Sequence, residues 1–210
     1  MSDAPAGGTG DNLDWIWSTP DQDALVERYD SWAESYDDEH DAWGWNGPQH
    51  AVGALLAALG PEVVLDAGCG TGRVGAELRS AGWTGSLIGV DISAGMLARA
   101  ADRGYDRLIQ ASLHGVPLGD DSVDAILSTG VFTHGHVNHE AFPELIRLVR
   151  PGGLIVITSR EEVWAALEPH AAEIEAAGRW TLLSRTEPES FHPGREVDDR
   201  PQSIVTWRVS

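Results

Sequence analysis

A chain of 210 residues is long enough to bury the core of one α/β domain unaided. Its 14 Lys and Arg stand against 33 Asp and Glu, a formal charge of −19; such a field repels polyanions and excludes DNA, RNA and anionic lipid as expected partners. The lone cysteine, Cys69, rules out an internal disulfide, no apolar run approaches a membrane span, and the N-terminus lacks the basic and apolar regions of a signal peptide, so the expected setting is the cytoplasm.

Residues 1–20 read as a disordered tail, because Met1 to Gly10 is small, polar and Gly-rich. Residues 21–50 read as a helical, aromatic lid. Tyr29, Trp32, Ala33 and Tyr36 fall at helical spacing and share one face, on which Trp32 is expected simply to pack. Five of the nine tryptophans (Trp15, Trp17, Trp32, Trp43 and Trp45) precede residue 46, with Gly44 and Gly47 among them. Trp43 and Trp45 are expected to wall a substrate pocket, and Trp15 and Trp17 to form a plug or dimer contact. The chain is expected to be a monomer or homodimer.

Residues 51–210 read as the main domain. Val63 to Leu65 form an apolar strand of the kind buried on both faces, followed by Asp66-Ala67-Gly68-Cys69-Gly70-Thr71-Gly72 and a helix from Arg73 to about Ala81. Glycines here let backbone approach a ligand, and the helix start offers free N–H groups to it. Gly70 to Gly75 also fits the dinucleotide G-x-G-x-x-G pattern, with Asp91 downstream, but that reading leaves Asp66 and Gly68 idle. Leu87 to Val90 is a second strand ending in Asp91, where paired ribose hydroxyls need a carboxylate acceptor. Ser93 caps the helix after it.

A third strand, Arg107 to Ala111, leads to Ser112-Leu113, and a fourth, Ser122 to Ser128, leads to Thr129-Gly130-Val131-Phe132. Thr133-His134-Gly135-His136-Val137-Asn138-His139 approaches a zinc-hydrolase motif, but Asn138 stands where that motif has Asp and no further ligands can be picked out, so no metal is expected. An unperturbed imidazole suits general-base work or hydrogen bonding to a substrate, and His134 can equally be structural. A helix from about Asn138 to Val149 stops at Arg150-Pro151-Gly152-Gly153, and a fifth strand, Leu154 to Thr158, follows. After a helix near Glu161 to Ala177, Trp180 to Ser184 and Ile204 to Val209 lack an intervening helix and read as an antiparallel pair. Strands alternating with helices imply a parallel, right-handed doubly wound sheet.

Four stretches together resemble the class I S-adenosylmethionine-dependent methyltransferases, and most closely the Williams–Beuren syndrome-region methyltransferase-like family, over roughly residues 25–210. They are Tyr29-Asp30-Ser31-Trp32-Ala33-Glu34-Ser35-Tyr36-Asp37, Val64 to Gly72, Gly89-Val90-Asp91-Ile92-Ser93-Ala94-Gly95-Met96-Leu97, and the Pro143-Glu144-Leu145 helix leading into Arg150-Pro151-Gly152-Gly153-Leu154. The resemblance implies a single Rossmann-like seven-stranded sheet, mostly parallel with the last strand antiparallel and helices on both faces. It implies S-adenosylmethionine as cofactor, S-adenosylhomocysteine as product, and in-line methyl transfer to a small-molecule N, O or S nucleophile. The implied cofactor residues are Tyr29, Tyr36, Asp66, Ala67, Gly68, Gly70, Gly72, Asp91, Ile92, Met96, Ser112, Leu113, Thr129 and Gly130. Ser112 stands where many relatives carry an acid for adenine, leaving the Leu113 N–H and sandwiching by Ile92 and Val131. His134 and His136 are implied as catalytic, and Trp43, Trp45, Phe132 and Arg160 as substrate-pocket residues. The competing readings are a catalytically silent cofactor-binding module, an NAD(P)-dependent oxidoreductase and a zinc hydrolase.

Overall fold

The computed structural model describes residues 22–58, 60–133, 137–194 and 201–210. The expected tail at 1–20, with Trp15 and Trp17, lies outside the described residues, as do His134 and His136. The elements run α1 (Gln22–Trp32), α2 (Tyr36–Ala42), α3 (Gly47–Ala58), β1 (Val63–Ala67), α4 (Arg73–Ser80), β2 (Ser86–Asp91), α5 (Ala94–Ala100), β3 (Arg107–Gln110) and β4 (Val123–Phe132). A 3₁₀ turn (His139–Ala141), α6 (Phe142–Leu148), β5 (Val149–Arg160), α7 (Glu161–Ala176), β6 (Trp180–Arg185) and β7 (Gln202–Val209) complete it.

The seven strands form one sheet in the order β3-β2-β1-β4-β5-β7-β6. The first five pair in parallel, and β7 lies antiparallel between β5 and β6. Side chains alternate between faces with the two-residue period of a strand. Val64, Ala125, Leu127, Leu154 and Val156 pack with Val52 and Leu55 of α3 and with Val74 and Leu78 of α4. Leu65, Ile126, Ile155 and Ile157 pack with Phe142 and Leu145 of α6 and Trp164 and Leu167 of α7. On this second face Trp180 and Trp207 stack at 4.6 Å, with Phe142 edge-on to Trp180 at 5.2 Å. Burying both faces is what makes the central strands continuous apolar runs.

Two local expectations change. The helix expected over Asn138–Val149 is shorter, because the Asn138 side chain accepts the Glu140 N–H and holds a 3₁₀ turn before α6. Arg150 to Gly153 do not end the helix from outside the sheet; Val149 already pairs with Val123, and a register shift to Ala125–Leu154 absorbs the Pro-Gly-Gly residues as an irregularity within β5. Asp124 fixes that corner by accepting the Glu62 and Val63 N–H groups at 2.7 and 3.0 Å and pairing with Arg150 at 2.9 Å. Helix α3 packs through Val52 and Leu55 on the sheet face it covers.

The first two helices are stapled to the sheet by carboxylates. Asp30 of α1 accepts the Ser93 hydroxyl and, at 2.8 Å, the Gly95 N–H at the start of α5. Asp37 of α2 accepts the Thr71 hydroxyl at 2.7 Å and pairs with Arg73 and Arg103. Arg73 also pairs with Asp41 at 2.7 Å. Among the described residues, no helix is long and apolar enough to cross a membrane.

Candidate functional site: two adjoining clefts

Where β1 ends, the chain must turn sharply without colliding with β2. The Gly68 and Cys69 N–H groups both bond the Val90 carbonyl, at 2.8 and 2.9 Å, which closes the loop against the neighbouring strand. Gly70, at φ +52, has only open space where a Cβ would stand. Gly72, at φ +90, has none: its Cβ would meet Ala100 and Tyr105 at 3.0 Å. One glycine therefore leaves room for a ligand, and the other leaves room for the protein.

Asp91 locks the loop from the end of β2, accepting the Gly70 N–H at 2.8 Å with one oxygen and the Ser93 N–H at 2.9 Å with the other. Burial raises its carboxyl, although these N–H bonds pull the other way. Asp66 is wholly buried; its Oδ2 accepts the Tyr105 hydroxyl at 2.5 Å and its Oδ1 has no hydrogen-bond partner. Burial lifts this carboxyl to about 7 despite the Tyr105 bond. Burial likewise pushes the Cys69 thiol up, leaving it inert as a nucleophile.

A cleft of about 620 Å³ opens above this loop. Of the residues expected at a cofactor, Tyr29, Tyr36, Gly68, Gly70, Asp91, Ile92, Met96, Leu113, Thr129 and Gly130 line it. Leu25, Ala111, Val131 and Val137 line it as well. Asp66, Ala67, Gly72 and Ser112 do not. Ala67 is fully buried and gives its carbonyl to the Ser128 hydroxyl, while Ser112 accepts the His114 N–H at 3.3 Å.

A second, smaller chamber shares Tyr29, Tyr36 and Gly130 with the first. Its other walls are Trp32, His40, Trp45, Thr133, Arg160, His192 and Gln202. Arg160 and Gln202 meet here because they are paired across β5 and β7. His40 stacks on Tyr36 at 4.0 Å and donates from Nδ1 to the Tyr36 carbonyl at 2.9 Å. Burial lowers its pKa to about 3, so the imidazole is neutral. The same loss of hydration raises the Tyr29 and Tyr36 phenols, which stay protonated.

Among the expected pocket residues, Trp45 and Arg160 line this chamber, whereas Trp43 and Phe132 line neither cleft. Trp43 packs behind His40 and His192, at 4.9 and 6.3 Å. Phe132 is 0% exposed and packs on Phe142, because β4 gains residues between Ser128 and Phe132 relative to β5 and the simple alternation fails. Trp32, expected only to pack, reaches the chamber wall. His40, His192 and Gln202 carried no local sequence signal. Among the described residues, no group of three or more His, Cys, Asp or Glu could hold a metal ion.

The family model described as a methyltransferase domain matches residues 65–157. Methyltransferase-like protein 27 of Homo sapiens is 39% identical over 78% of this chain and 71% of its own length. The malonyl-[acyl-carrier protein] O-methyltransferase of Yersinia pestis is 33% identical over 68% of this chain, but the match spans only 52% of that protein. A TehB-like S-adenosylmethionine-dependent methyltransferase from Corynebacterium glutamicum shares the fold at TM-score 0.61 and 18% identity, covering 86% of this chain and 99% of that one.

Proposed function

The chain belongs to the class I S-adenosylmethionine-dependent methyltransferases, and from that premise we propose that it methylates a small acceptor held in the second chamber. The observation that carries this reading is the partition between the two clefts. A donor in the larger cleft and an acceptor in the smaller one face each other across Tyr29, Tyr36 and Gly130.

The chain's own groups fit the cofactor. Gly70 leaves space where a side chain would intrude, Asp91 presents a carboxyl group at the strand end, and the Asp66 Oδ1 beneath the loop has no hydrogen-bond partner. Ile92, Met96 and Leu113 supply an apolar bed. When bound, the cofactor supplies an electrophilic methyl: an acceptor lone pair takes the methyl carbon, and the C–S electron pair returns to sulfur, leaving S-adenosylhomocysteine. The protein's task is then alignment and exclusion of water, and alignment alone contributes several kcal/mol in such reactions. The aromatic walls of the second chamber perform it. His134 and His136 follow β4 and are proposed as hydrogen-bonding partners of the acceptor.

Calorimetry tests the donor half of this reading. S-adenosylmethionine and S-adenosylhomocysteine are expected to bind at low-micromolar Kd, about −8 kcal/mol, with both weakened in Asp91→Ala. Binding of NAD with neither adenosyl ligand would overturn it.

A further inference from the structure

Resting on that reading, we propose that the acceptor is a small organic anion, a carboxylate first of all, held in the second chamber by Arg160 and the indole N–H of Trp32. Arg160 closes β5, is 5% exposed and lines the chamber. Trp32 is 3% exposed, lines the same chamber, and its Nε1–H has no hydrogen-bond partner. A buried donor left unpaired is unfavourable, and an acceptor atom of a ligand would satisfy it.

The described wall of the chamber carries a cation, Arg160, opposite in sign to the net charge of the molecule. The chain carries 33 Asp and Glu, yet among the described residues none lines this chamber. Its other ionisable walls include neutral groups: the Tyr29 and Tyr36 phenols keep their protons, and His40 stays deprotonated down to about pH 3. An aromatic box such as Trp32, Tyr36 and Trp45 would by itself suit an ammonium ion. Arg160 in its wall repels one. A guanidinium with a second N–H donor matches the two oxygens of a carboxylate.

The chemistry agrees with the recognition. His40, at such low basicity, cannot strip a proton from an alcohol or ammonium, and a carboxylate at neutral pH has none to lose. Its oxygen lone pair takes the methyl carbon as the C–S pair returns to sulfur, so the products are a neutral ester and a thioether, with no proton moved. The ester no longer pairs with Arg160, which favours its release.

The test uses full-length protein saturated with S-adenosylhomocysteine and titrated by calorimetry with matched acids, amides and amines on phenyl and butyl skeletons: phenylacetate, phenylacetamide and 2-phenylethylamine, and pentanoate, pentanamide and pentylamine. An acid is expected to bind at least tenfold tighter than its amide and amine. Arg160→Gln and Trp32→Phe are each expected to weaken it tenfold or more with S-adenosylhomocysteine affinity retained. Trp32→Phe keeps a ring beside Tyr29 and Tyr36, so the proposal stays testable if Arg160→Gln does not fold. Preference for an amine, no acid bound on either skeleton, or unchanged acid affinity in Trp32→Phe overturns the proposal. Failure of S-adenosylhomocysteine itself to bind instead overturns the donor-site reading on which it rests.

Discussion

Replacing Asp66 by Asn isolates the effect of one buried acid on the whole fold. Asp66 lies at 0% exposure beneath the glycine loop, satisfied on one oxygen by Tyr105 and unpartnered on the other. Burial raises its carboxyl from 3.8 to about 7, the Tyr105 bond opposing and the charge of Asp91 adding to the rise. A carboxyl whose folded pKa exceeds its unfolded one holds its proton longer in the native state. Stability from this group is therefore complete below about pH 3.8 and is lost as pH rises toward 7. At about 1.4 kcal/mol per pH unit within that window, the native state loses about 2.5 kcal/mol between pH 5 and pH 8. For a chain of this size that corresponds to a fall of about 5–10 °C in Tm from Asp66 alone. Asp66→Asn abolishes this titration, while its amide oxygen can still accept the Tyr105 hydroxyl. Urea unfolding of both proteins from pH 5 to 8 cancels the other carboxylates. The variant is expected to gain about 2.5 kcal/mol on the wild type across the range. Parallel stability profiles would refute the reasoning.

Gly70→Val projects a branched side chain into the open cleft, so calorimetry should show S-adenosylhomocysteine binding abolished while far-UV circular dichroism reports an intact sheet. Gly72→Val drives a side chain into Ala100 and Tyr105 and should lower Tm first; wild-type affinity in Gly70→Val would place the ligand elsewhere. His134→Gln should retain S-adenosylmethionine affinity and lose turnover, read as kcat against the cofactor Kd; normal turnover in a destabilised protein would make His134 structural.

What was legible in the sequence was local. The run from Val63 to Gly72 announces strand, turn and helix because an apolar stretch, spaced glycines and a helix start follow one another directly. Asp91 and Ser93 read correctly as strand end and N-cap, and the Ser93 hydroxyl accepts the Met96 N–H at 3.0 Å. What was not legible depends on partners far along the chain. Tyr105 reaches Asp66 across 39 positions, and Asp30 reaches Ser93 across 63. Gln202 faces Arg160 only because the register of β7 against β5 places it there, a pairing that no local pattern encodes. Phe132 is buried on Phe142, outside both clefts, because the register of β4 shifts against β5 between Ser128 and Phe132, a stretch that contains Gly130 at φ +71. The tryptophan-rich stretch announced an aromatic wall but not which rings form it; Trp32 and Trp45 do, and Trp43 stands behind them.

The walls of the second chamber come from two different parts of the chain. Tyr29, Trp32, Tyr36, His40 and Trp45 precede α3, whereas Gly130, Thr133, Arg160, His192 and Gln202 belong to the sheet and its loops. The glycine loop and Asp91, which face the donor, lie wholly in the second part. Residues 22–46 are held to the remainder by polar anchors that include Asp30, Asp37 and Asp41, the Asn46 N–H donated to the Phe191 carbonyl at 3.0 Å, and the Trp43 carbonyl accepting the Gly194 N–H at 2.9 Å. The rings of this segment divide by role: a homologous stretch that kept these anchors and kept Tyr29 and Tyr36, which also wall the donor cleft, but changed Trp32, His40 and Trp45 would inherit the same methyl donor and meet a different acceptor. Reaction and selectivity can thus diverge at separate rates within one small fold, the sheet conserving the chemistry while the first two helices change its object.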